Sequence, residues 1–381
     1  MEFSLSTEQQ KWQDEAIQFA RANLVDDLLD RDERREFWRE GWRRCAKFGF
    51  QGLPIPVEYG GKGQDLQVTI AAMEGLGYAC EDNGLIFSMN ASMWTNSIPI
   101  LRYGSEEQKR RYLPGLCDGS IVGANGASEV EAGSDIFSMR TRAERKGDRW
   151  ILNGRKTWVT SGPVADLFVC YATTAPERGV MGITGFIIPR DTPGFRVVRE
   201  IRKLGVRTVP MGELALEDCE VPVENMLGRE GRGAEVFNCS MEWERGAILA
   251  SSLGTMRRQL ERCIAHVKKR KQFGQSIAKF QSVSNKIVDM ALRLETSRPL
   301  VYKIGWLKAQ GKDATLESSM AKLHVSDCFV KNSLDAVQLF GASGFVAENG
   351  IERDLRDSIG STIYSGTNEI QRNVIAQYLI R

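Results

Sequence analysis

Histidine is scarce in this chain of 381 residues: only His266 and His324 are present. A histidine-built metal centre or a Ser–His–Asp triad is therefore not expected. Eight cysteines, at 45, 80, 117, 170, 219, 239, 263 and 328, include no CxxC pair. That spacing suggests neither a zinc site nor a disulfide framework, and it points to a reducing cytoplasm. No apolar run is long enough to span a bilayer. The start, MEFSLSTEQQ, lacks the basic-then-apolar order of a signal peptide. Neither sign of charge dominates: 51 Lys+Arg against 49 Asp+Glu leaves +2, which gives no case for nucleic acid. The basic run Lys268-Lys269-Arg270-Lys271 reads as a solvated helix end. Acid–base work falls to carboxylates or tyrosines.

What is present is an ordinary globular composition, 42% hydrophobic and 26% charged, on a chain long enough for two or three domains. Residues 1–120 read as helices, the first capped by Ser6 or Thr7 and carrying Trp12, Ala16, Phe19 and Ala20 on one side. A Gly/Pro-rich break covers 48–64. Over 121–230 short apolar segments alternate with turns, and Asn153-Gly154 is a strong hairpin signal. This stretch predicts a small antiparallel barrel or sandwich. From 231 to 381 the helices return: a proline-free stretch over 233–269, a second helix near 280–310 that Pro299 should kink or break, and a third near 314–340. Long antiparallel helices of this kind fit a four-helix bundle. The expected class is α+β, with helices, then a β domain, then a bundle.

Three segments carry chemistry. The first, GANGASEVEAGSD, offers the hydroxyls of Ser128 and Ser134 among glycines; Trp158 and Thr160 follow one hairpin later. A tryptophan beside a threonine can stack on a flat ring and bond its edge, although Trp158 on its own reads more simply as core. The second, SMEWERGAILASS, holds Glu242 and Glu244. Two residues apart on a helix is roughly 200° of rotation, so the two carboxylates cannot share a face. Arg245, three positions beyond Glu242, is placed to pair with it. A carboxylate held against an apolar wall has a raised pKa and suits a general base. The third, IYSGTNEIQR, has Thr367 as the cap of a last helix and Ser365-Gly366 as its loop.

In this order the segments resemble the flavin-dependent acyl-CoA dehydrogenase family over nearly the whole chain. ASEVEAGSD is similar to that family's TEPGAGSD signature, and LNGRKTWVTSG, RKQFGQSIAKFQ, DAVQLFGASGF and IYSGTNEIQR resemble four further segments. The resemblance implies a helical N-terminal domain, a middle β-barrel domain, a C-terminal four-helix bundle, FAD and a homotetramer. It places Asn125, Ala127, Ser128 and Ser134 near the flavin, and Trp158 and Thr160 beside its ring. Arg270, Phe273, Gln281, Gln338 and Gly341 match positions that reach the dinucleotide from a neighbouring subunit. Thr367 and Glu369 match contacts of the terminal helix. Asn125 stands where an aromatic is usual, Ser128 for a threonine and Val130-Glu131 for Pro-Gly. Many members carry their catalytic glutamate where this chain has Ser365, whose backbone N–H remains a donor to the thioester carbonyl. In the isovaleryl-type members the base lies on a bundle helix in a Glu-Arg pair, which Glu244-Arg245 matches. Glu244 is thereby implied as the α-proton base, with the β-hydride passing to flavin N5.

YATTAPERGVMGITGFIIPR, SMEWERGAILASSLGTMRRQLE and DSIGSTIYSGTNEI are further similar to dehydrogenases that oxidise proline held as a thioester on a carrier protein. This implies an L-prolyl-S-carrier substrate and a pyrroline or pyrrole thioester product. Substrate-facing positions are then Arg245, Met89, Trp94 and Tyr364, with Asn90, Met93 and Thr95 beside them. The partner would be an acyl or peptidyl carrier protein with a phosphopantetheine arm, received by Arg31, Arg34 and Arg35 or by Arg43 and Arg44. An electron-transfer flavoprotein or oxygen would take the electrons. The competing readings are a short- or branched-chain acyl-CoA dehydrogenase and a flavin-free scaffold that kept the fold.

Overall fold

The computed structural model describes residues 4–380. Helices come first: α1 (Thr7–Asn23), α2 (Leu28–Arg34), α3 (Arg39–Phe48), α4 (Leu66–Ala79), α5 (Asn83–Ser92), α6 (Ile98–Tyr103) and α7 (Glu106–Asp118). Ser6 caps α1 in a capping box with Gln9. Ala16 and Ala20 of α1 are fully buried, as the periodicity predicts. One turn of π-helix, Met93–Ser97, joins α5 to α6.

Strands follow: β1 (Gly123–Gly126), β2 (Arg142–Lys146), β3 (Arg149–Thr160), β4 (Leu167–Thr173), β5 (Ile183–Pro189), β6 (Phe195–Glu200), β7 (Met211–Pro222) and β8 (Met226–Leu227). They form one sheet in the order β6-β7-β3-β2-β4-β5-β8, with β1 on β4. Pairing is mostly antiparallel; β1–β4 and β2–β4 are parallel. Asn153-Gly154 is not the hairpin turn. The turn between β2 and β3 falls at Gly147, with φ 63°, while Asn153-Gly154 lies inside β3 at a bulge against β7. Two contacts put the pair there. The Asn153 side chain exchanges hydrogen bonds with Asp218, at 3.1 and 2.9 Å. A Cβ on residue 154 would stand 2.3 Å from Thr141 Oγ1.

The bundle follows: α8 (Gly233–Ala247), α9 (Ala250–Lys269), the short hairpin β9 (Lys271–Gln272) and β10 (Gln275–Ser276), then α10 (Gln281–Ala309), α11 (Thr315–Phe340), α12 (Ala342–Phe345), α13 (Ile351–Gly360) and α14 (Asn368–Leu379). The proline-free stretch is thus two helices, interrupted at Ile248-Leu249. Pro299 does not end α10, which runs through it. Ser297, Val301 and Ile304 around it are buried, so packing holds the helix where one backbone bond is lost. α4 and α9 touch backbone to backbone. A Cβ on Gly77 would lie 1.9 Å from Ser251 O, and one on Gly254 would lie 2.0 Å from Glu74 O. One continuous apolar core joins Ala16 and Ile70 to Leu152 and Phe168 of the sheet and to Leu253 and Val325 of the bundle. A second, smaller core gathers Cys263, Val267, Met290, Ala336, Leu339 and Ile351 at the far end of the long helices.

Candidate active site

Helix α8 presents its two glutamates to different surroundings. Glu242 pairs with Lys308 and accepts from the backbone N–H of Ala314 at 3.1 Å. Glu244 is buried, with 7% of its surface exposed. Arg245 does not pair with Glu242 as the helical spacing allowed. Lys308 of α10 takes that partner, and Arg245 turns the other way, its Nε donating to Ser365 O at 3.0 Å.

The loop before α14 completes this cluster. Thr367 caps α14, accepting from Ile370 N at 3.3 Å. Ser365 sits in the left-handed region, φ 58°, where a residue with a Cβ is uncommon. Its hydroxyl donates to Glu244 Oε1 at 2.9 Å. Gln371 Nε2 holds the Ser365 and Gly366 carbonyls at 3.1 and 2.9 Å. Burial pushes the Glu244 carboxyl up to about 7, against the pull of the Ser365 hydroxyl and the Arg245 and Lys322 charges. Near neutral pH this group exchanges a proton readily, which a base must do. Lys322 is itself buried and brought down to about 7, by desolvation first and by the Arg245 charge second. Its Nζ donates to Asn368 Oδ1 at 2.9 Å.

One turn further along, a small cavity of about 20 Å³ is walled by Ile86, Phe87, Asn90, Ile248, Ser251, Ser252, Phe329 and Tyr364, with Asn83, Val206 and Asp357 completing it. Phe87 and Tyr364 pack ring to ring, centroids 4.5 Å apart. Burial raises Asp357 to about 7. Of the proposed substrate-facing residues, Asn90 and Tyr364 line this cavity. Met89, Met93, Trp94 and Thr95 do not; all four are buried in the packing beside it. The π turn at Met93–Ser97 changes the facing of these side chains. Trp94 is spent on a hydrogen bond to Asn90 Oδ1, 2.8 Å, and on stacking with Trp243.

The residues matched to the flavin fall into two groups. Asn125 (β1), Ala127, Ser128, Ser134, Trp158 and Thr160 belong to the sheet and its loops. Trp158 is not core: a register shift in β3 between Lys156 and Val159 turns it outward at φ 55° with 48% exposed. An outward aromatic face of this kind fits a flat ring. Beneath it lies a pair that the sequence reading missed. Lys156, fully buried, donates to Glu129 Oε1 at 2.7 Å and to Ala127 O at 3.2 Å. Glu129 also accepts from Arg140 N and Thr141 N, at 2.7 and 3.0 Å. Burial opposes its charge, yet Lys156 and these donors hold its carboxyl below the usual range. The pair pins the loop that bears Ala127 and Ser128. The signal available was a glutamate in ASEVEAGSD and a lysine in LNGRKTWVTSG, the two motifs that flank the loop.

The second group, Arg270, Phe273, Gln281, Gln338 and Gly341, is exposed around the smaller core, and Phe273 is 93% exposed. Glu369, on α14, is also exposed. Of the arginines considered for a carrier protein, Arg31 is buried between Asp26 and Asp82 and is withdrawn from that role. Arg34 and Arg44 are engaged with neighbouring carboxylates, Arg35 is half-buried and Arg43 is exposed.

A helical unit, a β sheet and a helical bundle with a buried carboxylate on its first helix is the arrangement that comparison with known proteins assigns to a family of dehydrogenases. Family models describe three successive parts of the chain: acyl-CoA dehydrogenase N-terminal domain over 6–120, middle domain over 124–219 and C-terminal domain over 231–380. The chain belongs to the acyl-CoA dehydrogenase family. It is 42% identical over 349 residues to an L-prolyl-[peptidyl-carrier protein] dehydrogenase of Pseudomonas fluorescens, covering 91% of this chain and 92% of that one. Among solved structures it is similar to the prolyl acyl carrier protein oxidase AnaB, at 48% identity and TM-score 0.97, covering 99% and 100%. PigA with FAD and proline matches at 38% identity and TM-score 0.97, covering 100% and 99%. Among the described residues no helix is long and apolar enough to cross a membrane, and no group of three or more potential metal ligands occurs.

Proposed function

We propose that this chain is an FAD-dependent dehydrogenase of a carrier-bound prolyl thioester, with Glu244 as the base that takes the α-proton. The observation that carries the reading is the buried Glu244 carboxylate, hydrogen-bonded to Ser365 and raised to about 7. The loop position used by many relatives holds a serine, which is not a base at neutral pH. The relatives named as acting on prolyl carrier proteins support the substrate. FAD fits the residues present: an outward Trp158, a threonine two positions on, and a loop pinned from below by Lys156–Glu129.

When bound, FAD supplies the acceptor for the hydride that leaves the substrate's β-carbon. The chain's own residues do the rest. Glu244 removes the α-proton, and Arg245 and Gln371 fix the loop that carries Ser365. The Ser365 backbone N–H would polarise the thioester carbonyl, lowering the cost of the charge that develops there. The Phe87–Tyr364 pair walls the small cavity one turn along from Glu244. We assign units at 1–120, 121–230 and 231–381 and a cytoplasmic homotetramer. Exposed apolar Phe273, Phe345, Leu379 and Ile380 support assembly through the bundle. The carrier's phosphopantetheine arm brings the substrate, and a flavoprotein or oxygen receives the electrons.

Mass spectrometry of prolyl-loaded carrier protein after incubation with the enzyme tests this. Loss of two or four mass units supports it, and the choice between them sets the pyrroline or pyrrole product. Flavin bleaching by isovaleryl-CoA or butyryl-CoA, with the prolyl carrier inert, would replace it with the acyl-CoA reading.

A further inference from the structure

We infer that Ser365 is a positioning residue for the base: its hydroxyl, aimed by a clamped left-handed backbone, keeps the Glu244 carboxylate ionised and oriented for proton abstraction. The inference rests on Glu244 being that base.

The geometry is specific. Ser365 and Gly366 take φ of 58° and 87° in succession. The Ser365 carbonyl is tied from two sides, by Arg245 Nε of α8 and by Gln371 Nε2 of α14. Gln371 is fully buried, so that tie does not swing with solvent. A fixed carbonyl and a fixed φ leave the side chain few directions, and the one adopted puts Oγ 2.9 Å from Glu244 Oε1. An ionised carboxylate can only accept, so the hydroxyl donates.

The charged and titratable groups around Glu244 come from every side: Arg245 on its own helix, Lys322 on α11, Tyr364 in the loop and Tyr171 on β4. Arg245 Nε is spent on the Ser365 carbonyl and Lys322 on Asn368. Among the described residues, the hydroxyl of Ser365 is the hydrogen-bond donor that reaches the carboxylate. Its effect on the Glu244 carboxyl is downward, opposing burial. Once Glu244 holds the α-proton, the acid donates and the hydroxyl accepts, so the same contact serves both protonation states. The residue that replaces the loop carboxylate thus serves the carboxylate that replaced it.

The test is the pH profile of kcat/KM between about pH 5.5 and 9.5, on FAD-loaded enzyme with prolyl-loaded carrier protein, for the native chain, Ser365→Ala and Ser365→Gly. Both variants should move the acid limb up by about one pH unit, with about tenfold lower kcat/KM below the limb and recovery above it. Glycine relaxes the left-handed backbone and alanine does not, so a shift common to both belongs to the hydroxyl. Should Ser365→Ala fail to fold, Ser365→Gly decides. An acid limb left where the native enzyme has it, whatever the loss in rate, overturns the inference. Glu244→Gln is measured alongside. If it is inactive while the limb is unmoved, this inference alone fails; if it turns over normally, the base assignment fails with it.

Discussion

At the scale of single residues, two glutamates two positions apart on one helix meet different surroundings. Glu242 is neutralised by Lys308 at the rim, whereas Glu244 is enclosed and only lightly compensated. Glu244→Gln should retain FAD and substrate binding and lose about 10²- to 10⁴-fold in turnover; Glu242→Gln should retain most activity in the same stopped-flow assay. With Glu244 proposed to act as the ionised base, kcat/KM should rise with pH through about 7. Stability runs the other way. Its folded pKa is raised, so the native state binds more protons than the unfolded chain between roughly pH 4.5 and 7, and stability falls across that window. Glu244→Gln should therefore melt above the native enzyme at pH 8 and converge with it near pH 4.5, as scanning calorimetry would report. The sequence exposed the separation of the two side chains, because helical rotation is fixed. It did not expose their partners: Lys308 and Ser365 lie 66 and 121 positions away, and only the closed bundle brings them near (308 − 242; 365 − 244).

At the scale of elements, helix position was legible from periodicity and caps, but local rules were overruled where tertiary contacts were stronger. Asn153-Gly154 serves a bulge instead of a turn because Thr141 leaves no room for a side chain. Pro299 is carried through α10 by buried neighbours, and α8 and α9 are divided just beyond Glu244 with no proline or glycine at the break. Two contacts hold the site's supports. The crossing of α4 and α9 depends on hydrogen alone at Gly77 and Gly254. Gly254→Ala should cost about 1–3 kcal/mol in denaturant unfolding, through overpacking against the α4 backbone. The Lys156–Glu129 pair is more demanding. Glu129→Ala strands a buried ammonium and should cost about 3–5 kcal/mol, with loss of the flavin spectrum as the loop under Ala127 and Ser128 loosens.

At the scale of the whole molecule, the order of helices, strands and helices was readable because composition and period change near 120 and 230. The strand order and the cavity behind Tyr364 were not, since both arise from pairings between distant segments. Phe273 is 93% exposed and Phe345 is 80% exposed on a single chain, a poor arrangement in water unless another copy covers them. Phe273→Asp should lower both the assembly size in sedimentation and the FAD content, because the same hairpin is proposed to serve a neighbour's dinucleotide. The proposed function stands on Glu244 drawing the α-proton from a carrier-bound prolyl group. The most direct measurement is mass spectrometry of the unreacted prolyl group after exposure, in D2O and with no external electron acceptor, to the FAD-loaded native enzyme and to Glu244→Gln. Deuterium appearing at the prolyl α-carbon with the native enzyme and absent with the variant is the result predicted; equal uptake in the two would contradict the account.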